Sequence, residues 1–414
     1  MDDKTLYGKL LGLTPPWGIE KVELKLTEGE VHLWVTLPPK ELWVCPECLA
    51  RAPIHDHRDR AWRHLDTFQY KTILHARVPR LNCPNHGIRQ LRVPWAEDRS
   101  RFTALFEALA IDWMKEASIS AVAERLRLSW DELAGIQERA VQRGLARRKL
   151  EVIRFIGVDE TSYQKRHQYV TIVSDLGHPP RVLYVAQDRV RGSLNDFWGS
   201  LNQSQLEGIE AVVMDMWESY LGSAYRHLPN PDGKIVIDKY HVAALLNRAV
   251  DQVRAGENRE LLRHGRRDLV GTKFLWLKHP DHIEEAKWQD FQRLRQSNLK
   301  TARAWALKET AMALYDSERP SEAAGIFRQW HDWATRSRLE PMIRTAQTLQ
   351  SHWDEIFAWF RHRVTNAAAE GINAQVQRIK FMARGFRNRK RFRNAIYFHL
   401  GRLDLYPAKL SLQT

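Results

Sequence analysis

IRFIGVDE (153–160), QYVTIVSD (168–175), RVLYVAQD (181–188), EAVVMD (210–215) and KIVID (234–238) are five apolar, β-branched runs within one stretch of the chain. Only short polar connections, containing Gly177 and the pair Pro179–Pro180, separate the first three, which therefore read as an antiparallel meander. Beyond the third run the pattern changes. Helical periodicity appears near Ser193 to Leu206 and again from Trp217 to Arg226, and a long helix starts at Tyr240. Alternating strand and helix implies parallel crossovers.

Three meandering strands followed by two β/α units is the order of a ribonuclease-H-like α/β core, in which the first strand is central and the fourth lies beside it. That order would bring Asp159, closing the first strand, next to Asp215, closing the fourth. Alone, either residue reads as a strand-end or helix-capping aspartate. Together with a third carboxylate they become a set able to hold two divalent cations, Mg²⁺ or Mn²⁺, against a phosphodiester. The third is Glu370 in VTNAAAEGINAQVQR (364–378), where Thr365 or Asn366 can cap a helix carrying Glu370, Asn373, Ala374 and Gln377 on one face. Such a face is ordinarily solvated, but it also suits a metal edge. In IDKYHV (237–242), Asp238 reads as the cap of the following helix, and His241 as a group that positions a phosphate or the attacking water.

All three cysteines lie early, in Cys45-Pro-Glu-Cys48 and Cys83-Pro-Asn-His86. An odd thiol count argues against a disulfide framework, while two knuckles of this spacing fit tetrahedral Zn²⁺ with three thiolates and one imidazole. His86 is the expected fourth ligand; His55, His57, His64 and His75 lie between the knuckles and compete. The strand-like stretches VELKLTEGEVHLWVTLP (22–38) and QYKTILHARVP (69–79) suggest a small β-rich domain around a structural ion.

From Phe102 to Arg148 three helices follow, the second capped by Ser118 and the third by a Ser129 to Glu132 capping box. Their spacing is that of a helix-turn-helix, for which Gln137, Arg139, Gln142 and Arg143 are the expected DNA contacts. Between about Ala255 and Arg344 lies more chain than the core fold needs, helical and rich in tryptophan (Trp276, Trp288, Trp305, Trp330, Trp333), with most of these rings expected in a core. After Glu370, RIKFMARGFRNRKRFRNAIYFHLGR (378–402) interleaves aromatics with Arg384, Arg387, Arg389, Lys390, Arg391 and Arg393, cations suited to DNA phosphates.

The 414 residues suggest two to four domains, and a formal charge of +14 (64 Lys and Arg against 50 Asp and Glu) would attract a polyanion. No run of eighteen apolar residues occurs and MDDK is unlike a secretory signal, so a cytoplasmic protein with no membrane partner is expected. No glycine-rich phosphate loop or nucleophile–base motif points to small-molecule chemistry.

VVMDMWESY (212–220), IVIDKYHVAALLNRAVDQVR (235–254), GTKFLWLKHP (271–280) and TNAAAEGINAQVQRIK (365–380) resemble the ISL-three family of bacterial insertion-sequence transposases, in the family's order and through most of the chain. The resemblance implies a DDE transposase with Asp159, Asp215 and Glu370 as its catalytic carboxylates and an all-helical insertion before the last of them. Family members commonly carry cysteine where this chain has His86.

The expected organisation is multidomain α+β: a zinc-binding domain over 1–98, a helix-turn-helix over 99–150, a core over 151–254, a helical insertion over 255–344, and over 345–414 the last part of the core with the basic segment. The expected function is binding of the terminal inverted repeats of an insertion sequence, then metal-dependent cleavage and strand transfer into target double-stranded DNA, by a homodimer at the bacterial nucleoid. A structure-specific nuclease of the same fold without strand transfer, and a noncatalytic DNA-binding regulator, are the alternatives.

Overall fold

The computed structural model describes residues 2–38, 42–149, 152–164, 168–186, 191–278, 280–364 and 367–408. Two units divide the chain: Met1–Lys149 together with Lys380–Thr414, and Leu150–Ile379.

In the first unit, α1 (Asp3–Leu10) precedes β1 (Gly18–Lys25), β2 (Glu30–Thr36), β3 (Leu42–Val44), β4 (Arg51–Thr67), β5 (Tyr70–Cys83) and β6 (Gly87–Gln90). The sheet order is β1-β2-β5-β4-β3, with β6 also on β5. Period-two alternation sends Val31, Leu33, Val35, Trp62, Leu74, Ala76 and Val78 into one core with Leu11 and Trp95. A second, small core of Cys45, Ala52, Leu81 and Cys83 lies at the knuckles. Next come α2 (Ala104–Glu116), α3 (Ile119–Leu126) and α4 (Trp130–Arg147). The Thr103, Ser118 and Ser129 side chains cap them, the last in the expected capping box with Glu132. Arg127, at φ 54°, turns α3 into α4.

The second unit opens with the meander β7 (Phe155–Gln164), β8 (Gln168–Asp175) and β9 (Arg181–Val185), then α5 (Arg191–Gly199), α6 (Gln203–Glu207), β10 (Ala211–Met214), α7 (Glu218–His227), β11 (Ile235–Ile237) and α8 (Lys239–Arg263). The order is β11-β10-β7-β8-β9, so the first strand is central, with β8 antiparallel on one edge and β10 parallel on the other. Ile156, Val158, Val212 and Met214 are buried on one face with Leu194, Phe197, Trp198, Tyr220 and Leu221. Ala211 and Val213 are buried on the other, in a core with Val242, Leu246 and Ala369.

That second core continues through α8, α9 (Lys273–Leu277), α10 (Glu285–Arg295), α11 (Lys300–Met312), α12 (Pro320–Arg336), α13 (Glu340–Ser351), α14 (Trp353–His362) and α15 (Ala367–Met382). Trp276, Trp305 and Trp330 are buried in this core and Trp288 packs against it, whereas Trp333 is exposed. The helices therefore share the core of the sheet instead of forming one of their own. The boundary expected at 254/255 falls inside α8, which is continuous because no Gly or Pro breaks its apolar face until the helix has passed it.

A second boundary differs too. The last helix, α16 (Arg389–Leu400), belongs to the first unit, not to the core as the 345–414 division expected. Its Phe392, Ile396 and Tyr397 are buried, and it packs on α4. The proposed caps Thr365 and Asn366 lie outside the described residues.

Candidate functional site

The parallel ladder between β7 and β10 pairs Phe155 with Ala211, Ile156 with Val212 and Gly157 with Val213. Continued by two residues, that register sets Asp215 level with Asp159, so both leave the same face. It is the face covered by α8 and α15. Each carboxylate accepts a hydrogen bond from the next backbone N–H, Asp159 from Glu160 at 2.7 Å and Asp215 from Met216 at 2.6 Å. His241, in the first turn of α8, sets Nδ1 3.2 Å from Asp215 Oδ1. Asp238 caps α8, its Oδ1 accepting from Tyr240 N at 3.3 Å, as its sequence position suggested.

Gly157 lets α15 approach this strand. A Cβ there would lie 2.8 Å from Leu176 Cδ2 and 3.1 Å from the Cβ of Ala369, Glu370's neighbour. A glycine inside an apolar strand is the sequence signal for such close packing, and it went unread. From α15, Asn373 donates to Asp159 Oδ2 at 2.7 Å and Gln377 donates to Thr161 Oγ1 at 2.6 Å. Glu370 stands one turn before Asn373 and is exposed. Among the described residues, the three carboxylates do not close into a cluster of the kind the cysteines form. The structure brings together Asp159, Asp215, His241 and Asn373, with Glu370 at the helix start.

Burial pushes the Asp159 carboxyl above its ordinary range; the Glu160 N–H and His241 oppose this, while the charges of Asp238 and Asp215 add to it. Beside it, Asn373 Oδ1 is buried without a hydrogen-bond partner among the described residues. Hard oxygen donors, crowded negative charge and an unsatisfied amide oxygen suit a divalent cation. A network that sequence reading missed lies behind the site: Tyr220 donates to Glu160 Oε1 at 2.7 Å and shares a 2.6 Å hydrogen bond with Thr171.

In the first unit the ligand atoms of Cys45, Cys48, Cys83 and His86 all lie within 4.8 Å of one another. Cys48 Sγ is 3.6 Å from Cys83 Sγ, which is 3.8 Å from His86 Nδ1. A tetrahedral ion with bonds of about 2.3 Å to sulfur has edges of about 3.8 Å, so the four fit zinc. The backbone N–H groups of Cys48 and Glu47 hold the Cys45 thiol down to about 6, toward the thiolate a metal requires. His86 turns its Nε2 to within 3.7 Å of Glu47 Oε2, an orienting carboxylate that sequence reading missed. His64 instead bonds Thr103 Oγ1, His75 bonds His32 and His55 lies beside Asp56. None of these, nor His57, joins the cluster.

The expected contacts on α4 need correction. Gln137 is 5% exposed, and the Arg143 side chain 7%. Buried Glu107 gathers Arg143 at 3.0 Å and Arg139 at 2.6 Å, so both cations neutralise an internal carboxylate, Arg143 from within the core and Arg139 from a partly exposed position. Gln142 stays exposed, bonded to Glu138. Arg384 and Arg387 are exposed, whereas Lys390 pairs with Glu138, and Arg391 pairs with Asp131 and covers the Trp130 ring. Charge is nonetheless concentrated here: Met1–Lys149 with Lys380–Thr414 holds 33 Lys and Arg against 21 Asp and Glu, +12 of the chain's +14.

Residues 156–396 match a family model described as a transposase. Residues 41–86 match the zinc-finger of transposase IS204/IS1001/IS1096/IS1165, and residues 91–141 the helix-turn-helix domain of transposase family ISL3. The chain is 27% identical over 388 residues to the transposase for insertion sequence element IS1001 of Bordetella parapertussis, covering 92% of this chain and 95% of that one. It is 26% identical over 421 residues to the transposase for insertion sequence element IS1557 of Mycobacterium tuberculosis H37Rv, covering 94% and 93%.

Proposed function

The chain belongs to the ISL3 family of transposases and is a DNA transposase with a zinc-finger and a DNA-binding helix-turn-helix, and from that premise we propose that Asp159, Asp215 and Glu370 are its catalytic carboxylates. The five-stranded sheet is a ribonuclease-H-like core on this reading, supported by its central first strand and parallel fourth. The observation that carries the assignment is the register of β7 and β10, which levels Asp159 with Asp215 on the face that receives α15.

Asp159 and Asp215, completed by Glu370, would hold two Mg²⁺ or Mn²⁺ ions, which supply Lewis-acid activation of water or a 3′-hydroxyl and stabilisation of the leaving oxygen. Asn373 fixes the orientation of the Asp159 carboxylate, and His241 does so for Asp215. Cys45, Cys48, Cys83 and His86 would hold the zinc. Gln142, Arg384, Arg387, Arg389, Lys390 and Arg391 remain the proposed DNA contacts, the last two exchanging acidic partners for phosphate. The substrates are the terminal inverted repeats of the element and then target DNA. Acting on two ends favours a homodimer, working in the bacterial cytoplasm.

Asp159→Asn, Asp215→Asn and Glu370→Gln should each abolish cleavage of a duplex carrying the terminal repeat while leaving its binding intact. Undiminished cleavage by one variant removes that residue from the site. A precleaved end with a free 3′-OH should be joined to target DNA; cleavage without joining would make the protein a nuclease, and binding without either a regulator.

A further inference from the structure

The β4–β5 hairpin closes with a two-residue turn, Phe68-Gln69, between the paired residues Thr67 and Tyr70. Phe68 is 93% exposed. Its φ of 56° lies in the left-handed region that such turns fill with Gly or Asn. A bulky aromatic there gives up both burial and backbone ease. Neither sacrifice serves the hairpin, whose core residues Trp62, Leu74, Ala76 and Val78 lie on the strands. An outlier of this kind points to a role outside the fold.

The tip is braced against the helix-turn-helix. Arg127, the turn residue between α3 and α4, donates from Nη2 to the Gln69 carbonyl at 3.2 Å and pairs with Asp66, which Arg63 also binds. Tyr7 donates to Thr67 Oγ1 at 3.0 Å, and Thr67 N donates to Thr72 Oγ1 at 3.1 Å. Phe68 therefore projects from a fixed seat beside the turn that leads into α4. The surrounding unit carries the +12 excess, which selects a polyanion as occupant over a second copy of the same basic unit.

We infer that Phe68 is a wedge that inserts between base pairs of the duplex held by the helix-turn-helix, unstacking one step at the end of the element. The inference rests on the DNA-transposase reading. An apolar ring on a rigid arm exchanges exposure to water for contact with base faces, and kinking the duplex brings more of the basic surface against phosphates. Insertion at a fixed offset from the helix-turn-helix would mark one base step for distortion.

The test uses the full chain and duplexes carrying the terminal repeat, with 2-aminopurine placed at successive positions. Wild-type protein should raise fluorescence at one step. Phe68→Ala and Phe68→Gly should lose that signal and bind about tenfold more weakly. Phe68→Trp should keep both signal and affinity. The salt dependence of binding should be unchanged in all three, because no phosphate contact is removed. Unchanged zinc content and melting temperature establish that the variants fold; Phe68→Gly relieves the turn and serves if Phe68→Ala does not. The proposal is overturned if wild-type protein binds without a fluorescence rise, if Phe68→Gly retains signal and affinity, or if Phe68 variants change only the sedimentation of the free protein. Failure of wild-type protein to bind the repeat at all would instead count against the premise.

Discussion

Asn373 donates a 2.7 Å hydrogen bond to Asp159, joining α15 to a strand 214 positions earlier. The bond turns one carboxylate oxygen toward the helix, while the Glu160 N–H takes the other. Removing such an orienting partner from a metal ligand typically costs about 10- to 100-fold in metal affinity or activity. Asn373→Ala should therefore raise the Mg²⁺ concentration needed for half-maximal cleavage by about that factor, with end binding unaltered. A Mg²⁺ titration that superimposes on wild type would deny Asn373 this role.

Gly157 sets how close α15 comes. Gly157→Ala places a methyl against the buried end of the Leu176 side chain, which can move only by displacing its own core neighbours, and against the Cβ of Ala369, which is fixed to the α15 backbone. Overpacking of this kind costs about 1–3 kcal/mol. The substitution should lower the melting temperature and, by shifting the helix that carries Asn373 and Glu370, slow cleavage more than the stability loss explains. Normal cleavage by a destabilised Gly157→Ala protein would show that the close approach serves packing alone.

The strand order was legible because β-branched runs announce the strands; Asp215 directly follows β10, whereas Asp159 ends only its apolar run and lies inside β7, which continues to Gln164. The clustering of Cys45, Cys48, Cys83 and His86 was legible too, because the local spacing of each knuckle fixes which side chains come together. Burial within the helix-turn-helix was not legible, since Arg139 and Arg143 look like phosphate contacts until Glu107 is seen to face them from α2. Nor could the sequence show that α16 returns to α4, because an amphipathic helix does not say which surface its Phe392 and Ile396 will meet.

Zinc content should follow the four clustered ligands. Cys45→Ser and Cys83→Ser protein should lose the ion by metal analysis, whereas His64→Asn and His75→Asn should retain it, since those rings bond elsewhere. His86→Cys offers a fourth thiolate and should keep the metal. Loss of zinc from His75→Asn with retention in His86→Ala would reassign the fourth position.

His64 gives the first unit an acid sensitivity. Burial holds its imidazole down to about 4, with the Arg63 charge adding, against 6.5 for the ordinary residue. The fold favours the neutral ring, so its contribution is whole above pH 6.5 and is lost as pH falls toward 4, when the unfolded chain binds the extra proton. The span corresponds to about 3 kcal/mol at most. His64→Asn can retain a donor to Thr103 without titrating. Its denaturation midpoint should fall less steeply than wild type between pH 6.5 and 4, while acid release of zinc affects both alike. Parallel profiles would place the buried proton elsewhere.

Arg143 separates a structural cation from a DNA contact. Its guanidinium lies between Glu107, 1% exposed, and Glu97, and it donates to the Leu405 carbonyl. Glu107 also accepts from Ser100 Oγ at 2.8 Å and from Arg139, so the carboxylate is the hub. Breaking a buried ion pair from one side costs about 3–5 kcal/mol, because the remaining charge stays desolvated. Glu107→Gln, which takes a carboxylate partner from both Arg139 and Arg143 and leaves Arg143 with Glu97, should therefore destabilise the first unit more than Arg143→Met, which leaves Glu107 with Arg139 and Ser100. If Arg143 touched phosphate, its removal would lower the slope of log affinity against log salt by about one at unchanged stability. The buried geometry predicts the reverse, a lower melting temperature for Arg143→Met with a wild-type salt slope at temperatures where the variant is folded.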